Sequence, residues 1–163
     1  MELRRRINTT AVFVFIYFSS LLTFLIIGLQ PVEAAQYSVS GKLSIPSINL
    51  DTDVTSLALE NDKLNTPDTI AGSYSNSDNK VLLIGHYVGI FKDLINVRLS
   101  DRIIYNNKSY SVIKLDYQEK SIVDMSEILK GENIDTIVLM TCAGTIHNNG
   151  DASHRYIVTA VAD

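Results

Sequence analysis

The sequence has few residues of the kinds that cross-link a fold or bind metals. Its 163 residues include one Cys, three His, three Pro and no Trp. A single Cys excludes an internal disulfide framework and any metal site built from several cysteines. Lys and Arg number 14 against 18 Asp and Glu, and no Lys/Arg-rich run follows residue 6. Because nucleic-acid-binding proteins carry a basic footprint, we expect no nucleic-acid partner.

One long stretch of the sequence carries no charge. Residues 7–32 contain no charged side chain, and residues 11–29 are almost entirely apolar. As a helix, that apolar run is about 28 Å long, close to the ~30 Å hydrocarbon core of a bilayer. Arginines at positions 4–6 hold the N-terminus in the cytoplasm. We therefore expect residues 1–10 to be cytoplasmic, 11–29 to be a transmembrane signal-anchor, 30–40 a linker, and 41–163 an extracellular domain.

A cleaved signal peptide is the rival interpretation of this stretch, because residues 32–34 (VEA) offer a small-residue cleavage site. The apolar core of a signal peptide usually runs only ~7–15 residues, which favours the uncleaved anchor. A buried soluble helix is disfavoured, since apolar side chains occur on every face.

The rest of the sequence is typical of a mainly β domain. Asn106 and Asn107 predict a tight hairpin turn, because Asn tolerates a left-handed backbone. Helical periodicity is limited to 89–97 and 124–130. Short apolar runs predict strands at 42–45, 54–57, 81–84, 102–105, 109–117, 136–141 and 156–161. Such closely spaced strands indicate a small closed barrel or a sandwich.

Cys142 directly follows the predicted strand 136–141. A sole cysteine after an apolar strand is commonly a small buried hydrophobe. A free thiol on the oxidising side of a membrane, however, has no partner for a disulfide, and nucleophilic catalysis is the usual reason to keep one.

A thiol nucleophile needs a base and a donor for the developing negative charge. His86 follows the apolar strand 81–84, whereas His147 lies in a polar loop and is expected to be solvated. Arg155 begins the last strand thirteen residues after Cys142 and brings five N–H donors, although a plain surface charge is the alternative. Alternation along that strand points His154 away from the side on which Arg155 lies.

These residues lie in motifs that resemble the sortases, membrane-anchored cysteine transpeptidases of Gram-positive-type cell envelopes. The ordered His, then Leu-x-Thr-Cys, then Arg is the specific part of the pattern. The matching segments are LSIPSINL at 43–50, IGHYVGIFKDL at 84–94, DRII at 101–104, VLMTC at 138–142 and HRYIVTAV at 154–161.

The resemblance implies a closed eight-stranded β-barrel with short helices and a catalytic set of His86, Cys142 and Arg155. It implies that the thiol attacks the Thr–Gly bond of an LPXTG-like sorting signal on a surface protein. An amine, such as that of a peptidoglycan precursor, would then resolve the thioacyl enzyme at the cell membrane. Thr141 and Ala143 are the expected substrate-binding residues, and no cofactor is expected.

The chain departs from the family pattern in four respects. Val138 stands where the family usually has Thr, and residues 74–79 replace a loop that commonly contains Pro-Gly. The sequence has neither a hydrophobic C-terminal segment nor a long segment ahead of the barrel. These two absences favour a compact anchoring-type enzyme over the pilin-polymerising class.

Two other functional classes remain open at this point. A cysteine transpeptidase acting on peptidoglycan cross-links resembles a pattern with Ser and Gly before the Cys, which Met140-Thr141 does not fit. A non-catalytic, membrane-anchored β-domain would serve as a binding or structural module.

The three His lack metal-ligand spacing. Calcium-dependent sortases use a carboxylate cluster, but here we expect the candidate carboxylates to be solvated: Asp51, Asp53, Glu60 and Asp62.

The anchor predicts an N-in, C-out topology. Protease added to intact protoplasts is expected to digest residues 41–163, because the arginines at 4–6 keep only the N-terminus inside. Immunoblotting against a C-terminal tag measures this. A mature protein that begins at Ala35 and is recovered from the medium would show instead that the segment is a cleaved signal.

Overall fold

The computed structural model describes residues 37–61, 63–77, 79–148 and 151–163, and most of these lie in strands. The strands are β1 (Val39–Ile45), β2 (Leu50–Ser56), β3 (Leu59–Glu60), β4 (Lys63–Leu64), β5 (Ala71–Ser77), β6 (Lys80–Ile84), β7 (Arg102–Tyr105), β8 (Lys108–Glu119), β9 (Thr136–Ile146) and β10 (Ala152–Ala162). One α-helix, α1 (Met125–Leu129), and 3₁₀ turns at Pro46–Ile48, Leu94–Asn96 and Lys120–Ile122 complete the described elements.

The predicted membrane span at 11–29 lies outside the described residues. Within the described part of the chain, no helix is long and apolar enough to cross a membrane.

Eight strands close into a barrel in the order β1-β2-β5-β6-β9-β10-β8-β7, with β7 returning to pair with β1. Most neighbours are antiparallel, but β2–β5 and β6–β9 are parallel. Strands β3 and β4 form a separate two-stranded sheet. The prediction of a mainly β, closed eight-stranded barrel is confirmed.

Strand β9 is buried on both faces, which explains its continuous apolar sequence. Ile137 and Leu139 point into the barrel core, where Tyr156 and Val158 of β10 also pack. The alternate residues form a second apolar cluster on the outer face, under α1. That cluster comprises Leu82, Val138, Met140 and Ile157, with Val123, Met125, Ile128 and Leu129 packed against it.

The predicted helix at 89–97 is wrong in type, since only the 3₁₀ turn Leu94–Asn96 forms there. Phe91 and Leu94 are fully buried, but Ile95 is 58% exposed, so the segment buries fewer of its apolar residues than a helix would. The chain instead turns tightly over Gly85, where an added Cβ would lie 2.6 Å from Ile90 and 2.7 Å from Phe91. The helix predicted at 124–130 does form as α1, with the Asp124 side chain accepting from the Ser126 N–H.

Strand β5 was not predicted, and its polar residues 74–77 belong to a strand rather than to a loop. The Oγ of Ser75 donates to the carbonyl oxygen of Lys80 at 2.6 Å, across the irregular end of the β5–β6 hairpin. Side-chain hydrogen bonding therefore supports this strand where apolar alternation does not. The Asn106 and Asn107 turn has φ values of 50° and 65°, which confirms the predicted hairpin.

Candidate active site

The pairing of β6 with β9 brings His86 level with Cys142. These strands are parallel, and Ile84 is the partner of Met140. His86 follows the end of β6 by two residues, and Cys142 follows Met140 by two residues within β9. The N–H of Gly85 still donates to the carbonyl oxygen of Met140 at 3.4 Å, and His86 and Cys142 line the same cavity.

The pairing of β9 with β10 brings Arg155 to the same thiol. Cys142 and Arg155 are direct partners in this antiparallel pair. Residues directly opposite each other in such a pair lie on one face with Cα atoms ~4.5–5.5 Å apart. Cys142 therefore lies on the strand between β6, which leads to His86, and β10, which carries Arg155.

All three residues line one cavity of about 610 Å³ on the outer face of the barrel. Its apolar wall is formed by Leu59, Leu64, Tyr74, Ile84, Val123, Met125, Leu129 and Met140. The polar lining is contributed by Thr66, His86, Lys120, Thr141, Cys142 and Arg155. In the described structure this lining includes the cations Lys120 and Arg155 and no carboxylate. The cavity therefore suits an apolar ligand on which negative charge develops at the end near these cations.

The imidazole of His86 is held by the segment before β5. Its Nε2 lies 3.1 Å from the carbonyl oxygen of Thr66 and 3.6 Å from Oδ1 of Asp68. A carbonyl oxygen only accepts, so this hydrogen bond requires a proton on Nε2 and leaves Nδ1 as the nitrogen that can exchange protons. Thr66 precedes the buried Pro67, which restricts the Thr66 backbone to extended conformations and fixes that carbonyl. Asp68 is 95% exposed, so its own contribution is small.

The guanidinium of Arg155 is nearly buried, with 15% of the side chain exposed. Its Nη1 donates to the carbonyl oxygens of Ala152 at 3.2 Å and His154 at 2.9 Å. The Nη2 atom lies 3.6 Å from Oδ1 of Asp151. These contacts leave other N–H groups of the five on this side chain to face the cavity.

Cys142 is a free, half-buried thiol that lies within β9 rather than after its end, because the strand continues to Ile146. Its predecessor Thr141 is buried, lines the cavity, and donates from Oγ1 to the carbonyl oxygen of Gly85 at 2.8 Å. This bond ties the residue before Cys142 to the residue before His86. Ala143, the other expected substrate-binding residue, packs in the barrel core and is not part of the cavity lining.

The other two histidines lie outside this cavity. The ring of His154 stacks on Tyr117 with centroids 4.7 Å apart, and its Nδ1 lies 2.8 Å from Ser153 Oγ. His147 is exposed in the β9–β10 connection, as its polar surroundings predict. The side chains of His154 and Arg155 thus have different surroundings, as alternation along β10 predicts.

The carboxylates considered for calcium do not converge in the described structure. Asp51 instead pairs with Lys42 at 3.6 Å across the exposed β1–β2 hairpin. Among the described residues, no group of three or more His, Cys, Asp or Glu side chains is arranged to hold a metal ion. Asp62 lies outside the described residues.

The bond between Thr141 and Gly85 predicts a stability effect. Thr141→Val keeps the shape of the side chain but removes the donor to a buried carbonyl, which costs about 1–3 kcal/mol in free energy of unfolding. Urea denaturation of the purified protein measures this, with Thr141→Ser, which keeps the hydroxyl, as the matched control. Equal stability of Thr141→Val and the unmodified protein would show that the bond is unimportant.

Comparisons with known proteins show the family to which this chain belongs. A family model of the sortase domain matches residues 43–163, well over half of the chain. Sortase A of Bacillus anthracis is 26% identical over 125 residues, which make up 74% of this chain and 58% of that protein. The chain thus spans less than two thirds of that relative's length.

Solved structures share the fold at lower identity. Sortase A of Listeria monocytogenes is 16% identical with a TM-score of 0.61, covering 77% of this chain and 87% of that one. The pilus island 1 sortase C2 of group B Streptococcus is 20% identical with a TM-score of 0.60, covering 78% and 76%. On the match over residues 43–163, the chain belongs to the sortase family of cysteine transpeptidases.

Proposed function

We propose that this protein cleaves an LPXTG-like sorting signal between Thr and Gly and transfers the resulting acyl group to an amine. The observation that carries the proposal is the position of Cys142, on the strand between His86 and Arg155, with all three lining one cavity. Acyl transfer requires a nucleophile, a group that transfers protons and a cation that donates several hydrogen bonds to the developing oxyanion.

The chemical steps follow from the groups present. His86 takes the proton of the Cys142 thiol, and the resulting thiolate attacks the Thr carbonyl carbon, so that the carbonyl oxygen gains the negative charge. The remaining donors of Arg155 stabilise that oxyanion, because the guanidinium is already fixed by two backbone carbonyls. His86 protonates the leaving Gly amine as the C–N bond breaks, leaving a thioester on Cys142. An incoming amine then attacks the thioester, gives up its proton to His86, and releases the thiolate.

The shape of the cavity supports a peptide substrate. Its long apolar wall can bury the apolar residues that precede Thr in such a signal, while the polar end holds the reacting carbonyl. Burial of these apolar side chains fixes the position of the peptide in the cavity, so that the Thr carbonyl lies beside Cys142.

The proposal extends to the setting of the reaction. Residues 11–29 would anchor the protein in the cell membrane with the catalytic domain outside, as the single-pass topology predicted from the sequence requires. Surface proteins that carry the sorting signal would be the acyl donors. A peptidoglycan precursor with a free amine is the acceptor that we propose.

Transpeptidation by the purified full chain in detergent tests the proposal, with fluorogenic sorting peptides and an added amine. Cys142→Ala and His86→Ala are expected to abolish turnover. Arg155→Ala is expected to lose ~10²–10³ in rate, as for removal of an oxyanion donor. Arg155→Lys should lose at least about tenfold, because Lys cannot reproduce the planar, multidentate donation.

His154→Ala and His147→Ala are the controls, and both should retain activity near that of the unmodified protein. Loss of activity in His154→Ala together with retention in His86→Ala would contradict the assignment of the base. Unchanged cleavage by Cys142→Ala would contradict the proposed mechanism, and peptide binding without turnover in every variant and in the unmodified protein would favour a binding module.

A further inference from the structure

Asp151 lies at the end of the β9–β10 connection and contacts both basic residues of the cavity. Its Oδ2 accepts a hydrogen bond from Nζ of Lys120, which belongs to the 3₁₀ turn after β8. Its Oδ1 accepts from the N–H of Ala152 at 3.0 Å and lies 3.6 Å from Nη2 of Arg155. One carboxylate thus joins the segment after β8 to the start of β10.

The backbone allows this contact only because β10 begins irregularly. Residues four apart along a regular strand are separated by ~13 Å. The pairing of β10 with β9 shifts register between Ala152 and His154, and the Arg155 side chain reaches back over that irregularity. Asp151 therefore contacts the Nη2 end of the guanidinium, whereas Nη1 contacts the carbonyl oxygens of Ala152 and His154.

The backbone contacts of Arg155 fix only one end of its guanidinium. Nη1 donates both of these hydrogen bonds, one to the carbonyl oxygen of Ala152 and one to that of His154. Rotation of the plane about that end moves the other nitrogens. A carboxylate beside Nη2 restricts this rotation, since it attracts the second nitrogen to one place.

Charge balance explains the presence of Lys120. A carboxylate alone beside Arg155 would cancel the positive charge that an oxyanion needs. The Lys120 ammonium on the other carboxylate oxygen restores a net charge of +1 to the group of three. The hydrogen bond from Lys120, and more weakly the charge of Arg155, hold the pKa of Asp151 below its usual range, so the carboxylate is ionised at neutral pH.

We propose that Asp151 is a positioning residue for Arg155: its carboxylate orients the guanidinium toward the reacting carbonyl, and Lys120 balances its charge. The role of Asp151 in catalysis rests on the proposed function, whereas its effect on the orientation of the Arg155 guanidinium does not. Separate measurements test these two effects.

The first measurement is the side-chain Nε–Hε signal of Arg155 in ¹⁵N-edited NMR spectra of the full chain in detergent. Asp151→Ala is expected to shift and broaden this signal, whereas Asp116→Ala should leave it in place. Asp116 is a matched control, because it is also a half-buried aspartate paired with a lysine, Lys114 at 2.8 Å, and it lies outside the cavity lining. An unshifted Arg155 signal in Asp151→Ala overturns the proposal.

The second measurement is transpeptidation by the same variants. Asp151→Ala should lower kcat about fivefold to twentyfold with KM within about twofold, because a misdirected donor weakens the transition state more than peptide binding. Asp151→Asn, whose amide oxygen can still accept from Arg155, should recover most of the rate. In an Arg155→Ala background, Asp151→Ala should cause no further loss.

A structural role would give a different pattern. The carbonyl of Asp151 accepts from the N–H of His147 at 2.8 Å, and side-chain substitution leaves that hairpin contact intact. If Asp151→Ala lowers the rate equally with and without Arg155, the residue acts by stabilising the connection and the proposal is overturned. If the unmodified protein has no transpeptidase activity, the proposed function fails while the Arg155 signal still decides the orientation.

Charge balance gives a further arm of the experiment. Lys120→Met leaves the Asp151 carboxylate uncompensated and should lower kcat several-fold, to about the level of Asp151→Ala. Adding Asp151→Asn to Lys120→Met removes the excess negative charge and should raise kcat again. A double variant slower than Lys120→Met alone contradicts the charge-balancing role.

Discussion

The parallel pairing of β6 with β9 is the constraint on which the rest of the site depends. It sets His86 level with Cys142, while the antiparallel partner of β9 supplies Arg155. A slip of one residue in either pair would move a side chain to the opposite face of the sheet. The register is protected from slipping because β9 is buried on both faces, by the barrel core inside and by the cluster under α1 outside.

Polar contacts then orient what the sheet has brought together. The carbonyl of Thr66 holds the His86 ring, the Thr141 hydroxyl joins β9 to the residue that follows β6, and carbonyls at the start of β10 hold Arg155. In each case the partner is a backbone carbonyl, which is fixed by the fold and cannot swing away as a side chain can. The three side chains are therefore oriented by backbone groups of the barrel and its connections.

Much of this arrangement could be predicted from the sequence, because it depends on apolar runs and turn residues. The strand at Arg102–Tyr105 and the Asn106 turn follow directly from such local signals. Strand β5 could not be predicted, since its support comes from side-chain hydrogen bonds and from pairing with distant strands. Thr66 and Asp151 were missed for the same reason: no local pattern shows which distant side chain a loop residue will contact.

The proposed mechanism requires that Cys142 carry the acyl group during transfer. Intact-protein mass spectrometry, after rapid acid quench of the full chain with a sorting peptide and no amine, detects that intermediate. We expect a mass increase equal to the acyl fragment ending in Thr, located on Cys142 and removed by hydroxylamine. Cleavage of the peptide with no adduct on Cys142 at any quench time, or an adduct that persists in Cys142→Ala, would contradict it.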